Sequence, residues 1–251
     1  MLTFAGIPIS CPLVMGIVNA TPDSFHVRHP DPGTAIAHAE ALIAAGADII
    51  DIGGESTRPG AAPVGWDEEL ARILPVLKGL RGARVPISVD TSKLAVMRAA
   101  LDEGAAIVND VTALAAPGAV ELVAARGASA VLMHMQGEPA TMNLAPAYDD
   151  VVREVHEFLS ARVVVCLAAG ISLDRLAVDP GIGFGKTKAQ NTAVLGAVPQ
   201  FRALGCAVMI GVSGKKADHT ALGVASGADI LRVHDVAATR AALAAMTKVT
   251  L

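Results

Sequence analysis

Hydrophobic residues fall along this chain in short continuous runs, not in strict alternation with polar ones. Eight runs are dense in valine, isoleucine and leucine: LVMGIVN (13–19), DIIDIGG (48–54), VPISVD (85–90), AIVND (106–110), AVLMH (130–134), LAVD (176–179), AVMIGV (207–212) and ILRVHD (230–235). Continuous apolar runs of this length, bounded by helices, are the pattern of parallel strands buried on both faces. The intervening stretches are alanine-rich with helical spacing, at 34–45, 67–81, 92–103, 117–126, 148–169, 188–204, 217–226 and 236–246. A weak repeat supports the count. Gly46-Ala47, Gly104-Ala105, Gly127-Ala128 and Gly227-Ala228 each fall between a helix and the next strand, where glycine can take the left-handed conformation that ends a helix. Eight strand–helix units predict one α/β domain over residues 1–251, a single (β/α)8 TIM barrel with its site at the C-terminal ends of the strands. The rival is an open doubly wound sheet. Against it, there is no composition break, Pro/Gly-rich linker or low-complexity tract of the kind that marks a second domain.

Composition narrows the partners. Hydrophobic residues make up 53% of the chain, much of it alanine, which suits packed helices. No apolar run approaches the roughly 18 residues that span a bilayer. The start, MLTFAGIPIS, has neither a basic segment nor a long apolar one, so no signal peptide and no membrane partner are expected, and a cytoplasmic location is. The net charge of -4 lacks the basic surplus of a nucleic-acid-binding protein. Cys11, Cys166 and Cys206 form no C-x-x-C pair and are expected to be buried free thiols in a reducing compartment.

In such a barrel each strand end faces the mouth, and every predicted strand here stops at a polar group. The ends are Asn19, the GGESTRPG segment, Asp90-Thr91, Asn109-Asp110, MHMQG, Asp179-Pro180, GVSGKK and Arg232-Val233-His234-Asp235. Helix capping is an open alternative for Asp90, Thr91 and Asp110 singly. Eight polar ends in a row argue for a ligand site.

One loop poses a rival chemistry. LAVDPGIGFGKT ends in Gly-Lys-Thr, as a phosphate-binding loop does. A Walker A motif requires glycine five places before Gly185, where this chain has Pro180. Proline offers no N–H to a phosphate, and Asp179 repels an anion. The glycines are expected to let the backbone pass close to a flat ligand. Carboxylates and amides suit a planar heterocycle with a guanidine-like edge, paired through two hydrogen bonds. Asp179, Asp90 and Asn109 could supply that pairing, and Lys215 could donate to a ring carbonyl. Arg58, Arg232, His234 and Asn19 form a second group suited to a phosphate or pyrophosphate.

The segments MGIVNATPDSF, DIGGESTRPG, SVDT, VNDV, MHMQG, VDPGIGFGK, VSGK and RVHDV, in that order over about 13–246, resemble the dihydropteroate synthases. The resemblance implies that Asp90, Asn109, Asp179 and Lys215 hold a pterin ring, with Met133, Phe184 and Gly211 lining its pocket. It implies that Asn19, Arg58, Arg232 and His234 hold the pyrophosphate, with Asn19 near a Mg2+ ion. It further implies that Thr57, Pro59 and Ser213 help to form a p-aminobenzoate site. The implied reaction condenses 6-hydroxymethyl-7,8-dihydropterin pyrophosphate with p-aminobenzoate, giving 7,8-dihydropteroate and pyrophosphate for folate synthesis. Sulfonamides compete at the aminobenzoate site of that family.

Three places depart from the family pattern. The first loop reads DSFHVRHPDP where the family continues from DSF into Ser-Asp-Gly-Gly. The family's Ser-Arg-Lys reads Ser213-Gly214-Lys215. Only 16 residues separate Lys215 from Arg232, about half the family's usual number, in the region where the family builds much of its homodimer contact. These departures keep two alternatives open: a pterin-binding homologue without synthase activity, and a different quaternary structure. Other residues have plain readings. Trp66 is expected to pack at the start of the second helix. His26, His29, His38, His156 and His219 read as loop or helix-surface residues without metal spacing. His134 reads equally as structural or functional, and Lys186 equally as a ligand contact or a solvated loop residue.

Overall fold

The structure is a computed structural model; it describes residues 1–21, 31–56, 63–139, 141–142, 144–211 and 226–247. A short hairpin comes first, β1 (Thr3–Phe4) and β2 (Ile7–Pro8). Eight strands follow: β3 (Leu13–Asn19), β4 (Ile49–Gly53), β5 (Ile87–Asp90), β6 (Ile107–Asp110), β7 (Ser129–Met133), β8 (Leu176–Asp179), β9 (Ala207–Gly211) and β10 (Ile230–Val233). They close in that order, with β10 returning to β3. Every neighbouring pair is parallel. The predicted barrel therefore forms, and each predicted strand run contains or overlaps an observed strand.

Helices α1 (Pro32–Ala44), α2 (Trp66–Gly79), α3 (Leu94–Asp102), α4 (Ala119–Ala125), α5 (Val151–Ala168), α6 (Lys188–Gly196), α7 (Val198–Arg202) and α8 (Val236–Thr247) lie between and after the strands. Local chemistry starts several of them. Asp31 accepts from the Thr34 N–H, ahead of Pro32 at the first position of α1. Asp150 caps α5 in the same way. Proline has its N–H missing where a first turn would leave it unbonded. The single helix expected over 188–204 is two helices that meet at Ala197. Pro199 explains the break: it cannot donate within a continuing helix, and its ring crowds the preceding turn. Gly46, Gly104, Gly127 and Gly227 all have positive φ (99°, 99°, 62° and 84°), which is the conformation expected of the Gly-Ala repeat. The expected helix at 217–226 lies almost wholly outside the described residues.

The barrel has two packed layers of side chains, an outer and an inner. Outward-facing residues such as Val14, Ile50, Val89 and Val208 pack beneath the helices. Inward-facing residues alternate with them and sort by height. The lower interior is apolar and buried, built on Leu13, Met15, Ile49, Val131, Met209 and Ile230. Phe4 joins this cluster at 0% exposure, so the hairpin closes the barrel floor. The Ala5–Gly6 turn, with φ of 50° and 77°, has the positive φ at both central residues that tight hairpins favour. The upper interior is polar. Two residues up each strand from the apolar level stand Asp51, Asn109, Asp179 and Arg232.

Candidate active site

Strand alternation gathers side chains from different parts of the sequence at the barrel mouth. Asp51 of β4 is completely buried, and its Oδ2 accepts from both Arg232 Nε at 2.6 Å and Asn109 Nδ2 at 3.0 Å. The other arm of the same guanidinium, Arg232 Nη2, donates to Asp90 Oδ2 at 2.6 Å. One arginine from β10 thus spans carboxylates from β4 and β5 and fixes the amide of β6 through Asp51. Asp179 of β8 is 4% exposed, and its Oδ1 accepts from the Gly181 N–H at 2.7 Å.

Crowding three carboxylates into a dry mouth has an electrostatic consequence. Burial pushes the Asp90 carboxyl up to about 7; Arg232 pulls it down, while Asp51, Glu69 and Asp110 push it further up. Burial also raises Asp179 to about 6, against the Gly181 N–H, Arg232 and Lys186. Burial works against the Arg232 charge as well, but Asp51 and Asp90 outweigh it and raise its pKa. The site therefore carries carboxylates that gain from N–H donors brought by a ligand. A flat heterocycle with donors on its edge supplies that, and burial of these carboxylates strengthens each charge-assisted bond.

Residues 15–249 match the model of a family described as pterin binding enzyme. A dihydropteroate synthase of Neisseria meningitidis serogroup C is 47% identical, over 93% of this chain and 91% of its own. The chain belongs to the dihydropteroate synthase family. Among solved structures, the Yersinia pestis enzyme, described with a sulfonamide drug complex, superposes with a TM-score of 0.93 at 39% identity, over 99% of this chain and 98% of that one. The Burkholderia cenocepacia enzyme, complexed with 7,8-dihydropteroate, gives 0.86 at 42% identity, over 97% and 93%.

Seven of the fourteen residues implied by the resemblance fall at the upper ends of the strands. Asn19, Gly211 and Met133 end their strands at the level of Asp90 and Asp179. His234 directly follows β10 and is half-buried. Phe184 is half-buried in the loop after β8. Thr57, Arg58, Pro59, Ser213 and Lys215 lie outside the described residues. Arg232, grouped by sequence with the anion-binding set, lies across the carboxylates of the ring-binding set, because β10 closes the barrel beside β3 and β9 and its long side chain reaches β4 and β5. The open capping alternatives do not hold, since α3 and α4 have Lys93 and Gly118 at their N-caps; Asp110 instead ties the turn after β6, its carboxylate accepting from the Thr112 and Leu114 N–H groups. Thr91 Oγ1 accepts from the Lys93 N–H.

Four expectations need correction. Gly181 and Gly185 of the β8 loop, expected to lie close to a flat ligand, approach protein backbone. A β-carbon on Gly181 would lie 1.9 Å from the His134 carbonyl oxygen, and one on Gly185 would lie 2.6 Å from that of Gln136. Lys186 is neither solvated nor a loop-surface residue, being 5% exposed. Trp66 begins α2 but is 56% exposed. Cys11 is exposed, whereas Cys166 and Cys206 are buried.

Asp51 is the residue that strand-end reading passes over. It sits two places before the end of its strand and on the same face as Gly53. Its signal was present in DIIDIGG: a carboxylate between two isoleucines of a buried strand is rarely tolerated without a charged partner.

Proposed function

We propose that this chain performs its family's reaction at the mouth of the barrel, with the pterin ring seated on Asp90, Asn109 and Asp179. It is a dihydropteroate synthase, joining 6-hydroxymethyl-7,8-dihydropterin pyrophosphate to p-aminobenzoate in folate biosynthesis. The observation that carries the seating is the buried set Asp51–Arg232–Asp90 with Asn109, beside a separately held Asp179. These groups converge from five strands on one mouth, and their carboxylate and amide oxygens match the donor edge of a pterin.

The chemistry follows from charge placement. The ring is held while the bond from its methylene carbon to the pyrophosphate oxygen breaks, and the carboxylates below stabilise the cation left on the pterin. His234 and the Arg58 segment are assigned to the departing pyrophosphate. Thr57, Pro59 and Ser213 are assigned to p-aminobenzoate, whose amine then attacks the same carbon and loses a proton. No covalent bond to the protein is needed. The sulfonamide named with the Yersinia pestis structure supports competition by such drugs at the aminobenzoate subsite here.

Asn19 is the residue assigned to Mg2+. Its amide is a hard oxygen donor at the mouth, and no group of three or more His, Cys, Asp or Glu that could hold a metal occurs among the described residues. One neutral oxygen fits an ion that keeps several waters and takes its other ligands from substrate phosphates. When bound, Mg2+ offsets the charge gathering on the leaving pyrophosphate. Among the described residues no helix is long and apolar enough to cross a membrane. A cytoplasmic location and a family-type homodimer complete the reading; sedimentation tests the latter, because the shortened stretch before Arg232 is where that contact would form.

The deciding experiment is a product assay. Purified protein with dihydropterin pyrophosphate, p-aminobenzoate and Mg2+ is expected to give dihydropteroate by chromatography. Folded protein that binds the pterin pyrophosphate but forms no product would overturn the synthase reading in favour of a pterin-binding homologue.

A further inference from the structure

The Gly-Lys-Thr of the β8 loop is explained by two structural tasks. Thr187 caps α6: its side chain accepts from the Gln190 N–H, while Gln190 reaches back to the Thr187 N–H. Lys186 turns inward. Its Nζ lies 2.9 Å from the Gly181 carbonyl oxygen, 3.0 Å from that of Phe184 and 3.1 Å from His134 Nδ1. The His134 carbonyl oxygen lies farther off, at 3.5 Å, so the three donors of the ammonium are fully met, and no carboxylate is hydrogen-bonded to it among the described residues. Since the ammonium donates, His134 Nδ1 must accept, which places the ring proton on Nε2. Burial first, and then the Lys186 charge, push His134 down to about 3, so the ring stays neutral.

We propose that Lys186 is a positioning residue for the pterin carboxylate Asp179, fixing the loop that wraps it and placing a buried positive charge beside that loop. The proposal rests on the seating of the pterin given above. The geometry links the groups directly. Lys186 holds the carbonyl of Gly181, and the N–H of Gly181 donates to Asp179 Oδ1. The His134 N–H donates to the Asp179 carbonyl at 2.9 Å. The loop is pinned from outside as well, by Tyr148 Oη on the Gly185 carbonyl and Asn191 Nδ2 on that of Lys186. The charged groups acting on Asp179 are Arg232 and Lys186, both of which lower its pKa. Burial pushes Lys186 down to about 8, against the support of Asp179, the charged group that acts on it. A buried ammonium without an ion-pair contact is costly; its through-space service to Asp179 gives it a function that a neutral residue would lack.

The test compares wild type with Lys186→Met and Lys186→Gln. Binding of 6-hydroxymethyl-7,8-dihydropterin pyrophosphate is followed by calorimetry across the acid and neutral range, with circular dichroism to verify folding. Both variants are expected to move the acid limb of binding upward, because Asp179 loses a cation that favours its charge. Lys186→Met is expected to bind about tenfold or more weakly at neutral pH, and Lys186→Gln, which keeps donors for the carbonyls, to recover part of that loss. A packing role alone would weaken binding without moving the limb. Folded variants with the wild-type limb overturn the proposal, and Lys186→Gln decides if Lys186→Met fails to fold. Wild type that does not bind the pterin pyrophosphate would instead overturn the site reading.

Discussion

Asp90→Asn in the ligand-free protein tests the electrostatics of the mouth through stability. The Asp90 side chain is 10% exposed, and its carboxyl is pushed from the ordinary 3.8 to about 7. Between those values the folded protein keeps a proton that the unfolded chain has released. Stability contributed by Asp90 is thus complete below the unfolded pKa and is lost as pH rises through the folded one. Each unit of displacement corresponds to about 1.4 kcal/mol, so a gap of about three units amounts to roughly 4 kcal/mol. Asparagine has the same shape and does not titrate. The stability of wild type relative to Asp90→Asn should therefore fall by about 4 kcal/mol from about pH 4 to about pH 8. This slope is opposite to that of a salt-bridged surface carboxylate. Urea unfolding followed by circular dichroism, at several pH values and fixed ionic strength, measures the difference, and most other titrations cancel in it. A difference that is flat with pH, or that grows in favour of wild type, would show that Arg232 keeps Asp90 ionised and would refute the argument.

Two further outcomes follow from other parts of the site. Gly183 and Gly185 both have positive φ, but a β-carbon on Gly183 meets nothing within 4 Å while one on Gly185 meets the Gln136 carbonyl. Gly183→Ala should lose about 1 kcal/mol from the left-handed backbone alone, whereas Gly185→Ala should lose more and weaken pterin binding; thermal melts and calorimetry would show equal losses if the two loops did not touch. Removing divalent ions with a chelator should abolish dihydropteroate formation and leave binding of the pyrophosphate-free pterin unchanged, because Asn19 belongs to the anion end of the site; unaltered turnover after exhaustive chelation would remove Mg2+ from the reading.

The barrel was legible because each of its strands carries enough β-branched and aliphatic residues to be buried on both faces. Asp90, Asn109 and Asp179 were legible because position at a strand end is itself a location in this fold. The floor hairpin was not: two-residue strands are too short for any period, and Phe4 acquires its burial only once eight distant strands have closed above it. Asp51 was hidden in its run by the same apolar neighbours that bury it. Lys186 escaped because its surroundings come from the β7 and β8 loops together, 52 residues apart at His134, and local sequence offered only ligand or solvent. The glycines of that loop were read as sites of approach to a flat ligand; at Gly181 and Gly185 it is protein backbone that approaches, set by the packing of the two loops.

The division of the barrel interior into an apolar floor and a polar upper level bears on how the protein can change under selection. On the floor, stability and fold ask for the same residues. At the upper level they part. Asp51 Oδ1 and Ser88 Oγ are buried without a hydrogen-bond partner among the described residues, and Asp51 and Ser88 stand opposite each other on β4 and β5. Buried ion pairs can often be exchanged for well-packed hydrophobic residues with no loss of stability, or with a gain. A mutant library selected only for heat resistance should therefore accumulate apolar replacements around Asp51, Ser88 and Arg232, and its most robust members would be the ones least able to hold a pterin.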